Sequence, residues 1–154
     1  MEEMQLMEMA EQVLDYGIIG ILTLMSIVSL WLFVERLMFY KSVKIEAYEN
    51  KELFELELGN NLSTIATIGS NAPYVGLLGT VLGIMLTFYA LGDVGEMDPK
   101  KIMTGLALAL KATALGLVVA IPSIIFYNML TRKMERLLTL WDVHNGTSTK
   151  AAQE

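Results

Sequence analysis

Within the long apolar stretches of this sequence, two sets of small and hydroxyl residues recur at helical spacing. In NAPYVGLLGTVLGIMLTFYALG, Gly76, Thr80, Gly83 and Thr87 fall at i, i+4, i+7 and i+11. In LALALKATALGLVVAIPSIIFYN, Ala109, Thr113, Gly116, Ala120 and Ser123 follow a similar rule. Each set occupies one face of a helix. Threonine hydroxyls can orient water or a carboxyl group, but they do not ionise near neutral pH. Covalent catalysis has no candidates: no Ser/His/Asp arrangement lies in an apolar stretch, and no GxxxxGK[ST] loop is present. The absence of cysteine removes disulfides, thiolate catalysis and Cys-based metal sites. The one histidine, His144, lies near the C-terminus and reads as a surface residue. The sequence therefore predicts no enzyme, no cofactor and no metal. Two readings of the small faces stand side by side. They let membrane helices pack closely, as the Gly79–Gly83 GxxxG pair also would, or they line one cavity.

The elements that must position these residues are membrane spans. The 154 residues are 54% hydrophobic, with mean hydropathy +0.49 and net charge −6. That is too apolar for an ordinary soluble domain of this length, and no basic nucleic-acid footprint accompanies it. Apolar runs at 16–35, 71–92 and 102–130 are each long enough for a hydrocarbon core of about 30 Å. The expected fold is all-α, an integral membrane protein with three transmembrane helices and no internal repeat.

Basic residues choose the orientation. Arg36, Lys41, Lys44 and Lys51 follow the first span, and Arg132, Lys133, Arg136 and Lys150 follow the third. Only Lys100 and Lys101 lie between spans two and three. The positive-inside rule places 36–70 and 131–154 in the cytoplasm, with the N-terminus and the hairpin 93–101 on the outer side. Trp31, Phe39 and Tyr40 fit an aromatic belt at the inner interface. Segment 1–15 is acidic, lacks a basic leader and is expected to stay on the mature chain as a short interfacial amphipathic helix. Gly59-Asn60-Asn61 reads as a turn. Beyond the third span, Met134, Leu137, Leu138 and Trp141 extend a helix, with Asn145-Gly146 as its stop and a disordered TSTKAAQE tail.

The two motifs NAPYVGLLGTVLGIMLTF and ALKATALGLVVAIPSIIFYN resemble the paired signature of the ExbB/TolQ/MotA proton-channel family, and are most similar to its ExbB-type members. The resemblance covers 65–128, and Glu35-Arg36 at the inner end of span one agrees with it. It implies a bacterial inner-membrane, multi-pass subunit of ion and protein transport. Five copies would form a ring in which extended helices two and three line a central pore. An ExbD-like single-span partner would sit in that pore and carry the proton on an aspartate, and a TonB-like protein would receive the motion. The family's pore threonines fall on Thr80 and Thr113. The pore-lining set would be Thr80, Thr113, Gly76, Gly83, Thr87, Ala109, Gly116 and Ala120. A TolQ-like role in the Tol system is the alternative within the family. A flagellar MotA role would need a larger cytoplasmic part. Outside the family, a passive, non-conducting membrane scaffold would use the small faces for packing alone.

The sequence also departs from that pattern. Many family members carry a glutamate five residues before the second threonine, where this chain has Leu108. Lys111 is the one ionisable residue well inside a span, about 200° around the helix from Thr113. It either snorkels or pairs with a neighbouring subunit, or it is a functional charge. Pro73 is expected in the first turn of span two with Asn71 as N-cap. Pro122 is expected to kink span three, with freed carbonyls satisfied by Ser123 or by neighbours, or to form a hinge. The short loop 36–70 implies a compact cytoplasmic part.

Overall fold

The computed structural model describes residues 2–94 and 99–151. Residues 95–98 of the expected hairpin, and 152–154 of the tail, lie outside the described residues. Among the described residues the fold is all helical. Helix α1 spans Glu2–Ser42, a single 3-10 turn covers Ile45–Ala47, α2 spans Lys51–Gly59, α3 spans Leu62–Val94 and α4 spans Pro99–Ala151. Three helices are long and apolar enough to cross a membrane by length and composition.

The helices run further than the apolar runs alone suggest. The acidic segment at the start is not a separate helix; it is continuous with the first span in α1. No proline interrupts the junction, and Gly17 and Gly20 sit on open surface where nothing crowds them. Pro73 is not in a first turn. It lies inside α3, which begins at Leu62. Asn61, at a φ of 65°, breaks the chain between α2 and α3, and the helix starts at Leu62, eleven residues before Pro73. Asn71 does not cap either; its Nδ2 donates to the Thr67 carbonyl at 2.8 Å, and Ser70 Oγ donates to the Ala66 carbonyl at 2.9 Å. Side chains that cap a helix start elsewhere here bond back along the helix and let it continue. The same device carries α4 past the expected stop, because Asn145 Nδ2 donates to the Trp141 carbonyl at 3.1 Å. The helix reaches Ala151, through residues that composition assigns to a disordered tail.

Two apolar clusters hold the bundle. The first joins Ile18 and Leu22 of α1 to Ile68 and Ala72 of α3 and to Ala112, Val119 and Ala120 of α4. At its edge, Ser29 Oγ donates to Ser123 Oγ at 2.8 Å, and Ser123 passes its own proton to the Val119 carbonyl at 2.8 Å. Both serines are fully buried. The carbonyl that Pro122 leaves without an amide is that of Val118, one residue earlier, so Ser123 serves its neighbour instead.

The second cluster gathers Tyr40, Phe54, Leu58, Leu62, Ile65 and Leu130 where α2 meets the ends of the long helices. Asn50 caps α2, accepting from the Glu52 and Leu53 amides. The other end of α2 is closed by α1. Arg36 donates to the Glu57 carbonyl at 2.9 Å, and Tyr40 donates to the Leu58 carbonyl at 2.6 Å. These are carbonyls that a helix C-terminus leaves without partners. Arg36 also pairs with Glu35 and stacks on the Phe39 ring at 4.6 Å. On the far side, Trp141 Nε1 donates to the Tyr48 carbonyl at 2.9 Å and Lys51 meets Asp142 at 2.7 Å, tying the loop to α4. Tyr48 donates its hydroxyl to Glu57, and this bond raises its ionisation above the ordinary phenol range.

Candidate functional site

Helices α3 and α4 cross where neither has bulk. A Cβ built on Gly76 would stand 2.6 Å from the Ala112 carbonyl oxygen and 3.1 Å from the Gly116 Cα. One on Gly116 would stand 2.7 Å from the Ala72 carbonyl oxygen. The obstacles are backbone atoms, so any side chain at either position pushes the helices apart. Gly79 faces Ala112 and Ile18, and Gly83 faces Ala109. Ala109 and Ala120 are buried along the same seam. Small residues on facing helices bring the two backbones together.

Directly beside this crossing the two threonines meet. Thr80 Oγ1 lies 2.6 Å from Thr113 Oγ1. Thr80 Oγ1 is also 2.9 Å from the Ala109 carbonyl and 3.3 Å from the carbonyl of Gly76 in its own helix. Thr80 is buried and Thr113 half-buried. Each hydroxyl has one proton and two lone pairs. When Thr80 donates to Ala109, Thr113 must donate to Thr80, which leaves the lone pairs of Thr113 free to accept. When Thr80 donates to Thr113 instead, the Thr113 proton is free to be given. The pair can thus offer an acceptor or a donor at one point without either group becoming charged. Thr87 stands apart from it and bonds the Gly83 carbonyl at 2.8 Å.

Six of the eight residues expected at a pore wall, Gly76, Thr80, Gly83, Ala109, Gly116 and Ala120, lie on this seam, where α3 and α4 of one chain meet. Thr113 shares its edge, and Thr87 continues it toward Gly105. Lys111 lies on the opposite face of α4, exposed, with no hydrogen bond or ion pair to the described residues. Leu108 and Pro122 are exposed too. Spacing alone missed Gly105, whose added Cβ would stand 2.6 Å from Thr87 Oγ1. The signal was present, since Gly105 extends the series Ala109, Ala112, Gly116 by one turn. The Ser29–Ser123 bond was missed as well, because one serine in a first span carries no partner information in its sequence.

Among the described residues, no group of three or more His, Cys, Asp or Glu could hold a metal ion. Broad exposed apolar surfaces on all three long helices, including Leu24, Ile27 and Trp31 of α1 and Leu77, Val81 and Phe88 of α3, suit contact with lipid or with other chains.

Comparison with known proteins places the chain in a family. The profile of the MotA/TolQ/ExbB proton channel family matches residues 35–143, which include both threonines and the whole α3–α4 crossing. The chain is 54% identical over 141 residues to the biopolymer transport protein ExbB of Aquifex aeolicus, covering 92% of this chain and 95% of that one. It is 51% identical over 131 residues to the ExbB of Helicobacter pylori strain J99, covering 85% and 90%. The Tol-Pal system protein TolQ of Pseudomonas aeruginosa is 45% identical over 84 residues, covering 54% of this chain and 36% of its own. A three-span helical bundle with a threonine pair at its glycine crossing, matched over most of its length by such sequences, is a membrane protein of the MotA/TolQ/ExbB proton channel family.

Proposed function

We propose that this chain is an ExbB-like subunit of an ion-driven motor in the bacterial inner membrane. Copies of it form a ring, a pentamer on the family's plan, around the membrane helix of an ExbD-like partner, and the ring's work is passed to a TonB-like protein for outer-membrane transport. Its N-terminus faces the periplasm and its C-terminus the cytoplasm. The observation that carries the reading is the Thr80–Thr113 pair, set in two spans, 71–92 and 102–130, that contain no Asp, Glu or His.

A proton path through a membrane needs a group that changes protonation. This chain supplies none near the pair, so the titrating carboxyl comes from the partner. Thr113 then accepts from that group while it is protonated and donates to it once it is ionised, by the two hydroxyl arrangements described above. A fixed acid or base at the same place would bind the carrier or cost several kcal/mol to bury. Greater identity and coverage against the ExbB of Aquifex aeolicus than against the TolQ of Pseudomonas aeruginosa favour the TonB-type role over the Tol-type role.

The test is reconstitution in liposomes with and without the single-span partner. Proton flux is expected only with both proteins present, and is expected to vanish when the partner's membrane aspartate becomes Asn. Gradient-driven flux through this chain alone would overturn the reading. Native mass spectrometry of the detergent-extracted protein is expected to give a ring, and a monodisperse monomer would count against it.

A further inference from the structure

We propose that the ring closes through an electrostatic seam in which the outer face of α2 on one copy docks against the basic face of α4 on the next; this rests on the ring reading above. The helix α2 turns Phe54 and Leu58 inward, both fully buried, against Leu130 and its neighbours. Its outer face carries Glu52, Leu53, Glu55 and Leu56, with the two leucines 60% and 71% exposed. Neither glutamate side chain has an ion-pair partner among the described residues. An open groove of about 630 Å³ runs from this face to Met134 of α4.

The other half of the seam is on α4. There Met134, Leu137, Leu138 and Trp141 point into the second cluster. The opposite side of the same turns presents Met129, Arg132, Lys133, Arg136 and Leu140. All five are exposed, and the three cations make no ion pair among the described residues. The two faces match in kind, leucines and glutamates on one, apolar and basic side chains on the other. They cannot meet within one chain, because α2 and α4 already touch through their inner faces and the outer faces point apart. A surface that fits a different surface of an identical copy gives a head-to-tail contact, and such contacts form a ring when the rotation between copies closes. Opposite charge across the contact fixes its register, and the leucines supply the apolar burial.

The chain has no cysteine, so the seam can be probed directly in the full-length protein. Leu56→Cys and Leu140→Cys chains, co-expressed and treated with a short bis-maleimide, are expected to give a cross-linked pair. Either variant alone is expected to give none, and the double variant a ladder up to the full ring. Arg136→Glu is expected to lower the ring fraction about tenfold in native mass spectrometry, by setting like charges against each other. Adding Glu55→Arg to the same chain is expected to restore it. Intact rings without cross-links would overturn the seam while leaving the ring reading standing. Cross-linking of a single variant with itself would replace it by a symmetric contact. Loss of Arg136→Glu rings only in anionic-lipid nanodiscs would assign the basic face to lipid headgroups and overturn it too. A parent protein that is monomeric throughout would remove the seam and the ring reading together.

Discussion

The hydroxyl oxygens of Thr80 and Thr113 lie 2.6 Å apart, from helices that cross at two glycines. The closeness of the crossing makes the bond. Without Gly76 and Gly116 the backbones would separate, and the hydroxyls would be drawn apart.

Valine keeps the shape of threonine and removes the hydroxyl. Thr113→Val is expected to abolish most partner-dependent proton flux and leave ring assembly intact. Thr80→Val is expected to reduce flux as well, and to cost about 1 kcal/mol of stability through its lost bonds. Flux per reconstituted ring, with native mass spectrometry as the assembly control, separates the two effects. Normal flux in both variants at normal protein level would return the pair to a packing role.

The glycine crossing makes a steeper prediction. Gly76→Ala or Gly116→Ala forces a methyl against backbone at contact distances no real Cβ tolerates. A loss of about 1–3 kcal/mol is expected, together with lost assembly. Gly17→Ala, on open surface, is the control and is expected to be silent. Thermal unfolding in mild detergent reads both.

Tyr40→Phe removes one hydrogen bond from the end of α2 while keeping the ring that packs there. About 1 kcal/mol of local stability should be lost, read as faster amide hydrogen exchange over Lys51–Gly59 with little change in the rest of α3 and α4. Arg36→Leu removes the bond to Glu57 and leaves Glu35 without its cation, so a larger effect over the same segment is expected. Uniform acceleration throughout the chain would mean that α2 does not unfold separately.

Lys111 stands on the face of α4 opposite the threonine. Lys111→Arg is expected to be tolerated. Lys111→Leu is expected to reduce the yield of assembled rings more than the flux of each ring. Stable rings without flux would make Lys111 a functional charge.

The three spans were legible because each is a long apolar run, and the threonine faces because their period is that of a helix. Helix ends were less so. Asn71, Pro73 and Asn145-Gly146 are boundary signals in short-range terms, yet each sits within a helix. Burial of Ala72 beside Pro73, and the anchoring of Trp141 to Tyr48 before Asn145, outweigh those local preferences. The role of α2 was hidden for another reason. The clamp that closes it joins Arg36 and Tyr40 to carbonyls of Glu57 and Leu58, and backbone acceptors leave no trace in residue identity. The candidate site fared similarly. Spacing gave the two faces, while their contact within one chain depends on how the helices cross.

The same clamp sets a waterline. By helical rise, α1 is about 62 Å long, α3 about 50 Å and α4 about 80 Å, against a hydrocarbon layer of about 30 Å. Length alone would let the bundle bob up or down along the membrane normal. Arg36 is 6% exposed, paired with Glu35 and locked onto α2, and such a polar knot resists being drawn into hydrocarbon. The bundle is therefore moored at one end. A thicker or thinner bilayer is accommodated at the opposite ends of α3 and α4, and the threonine pair keeps a constant height above its mooring.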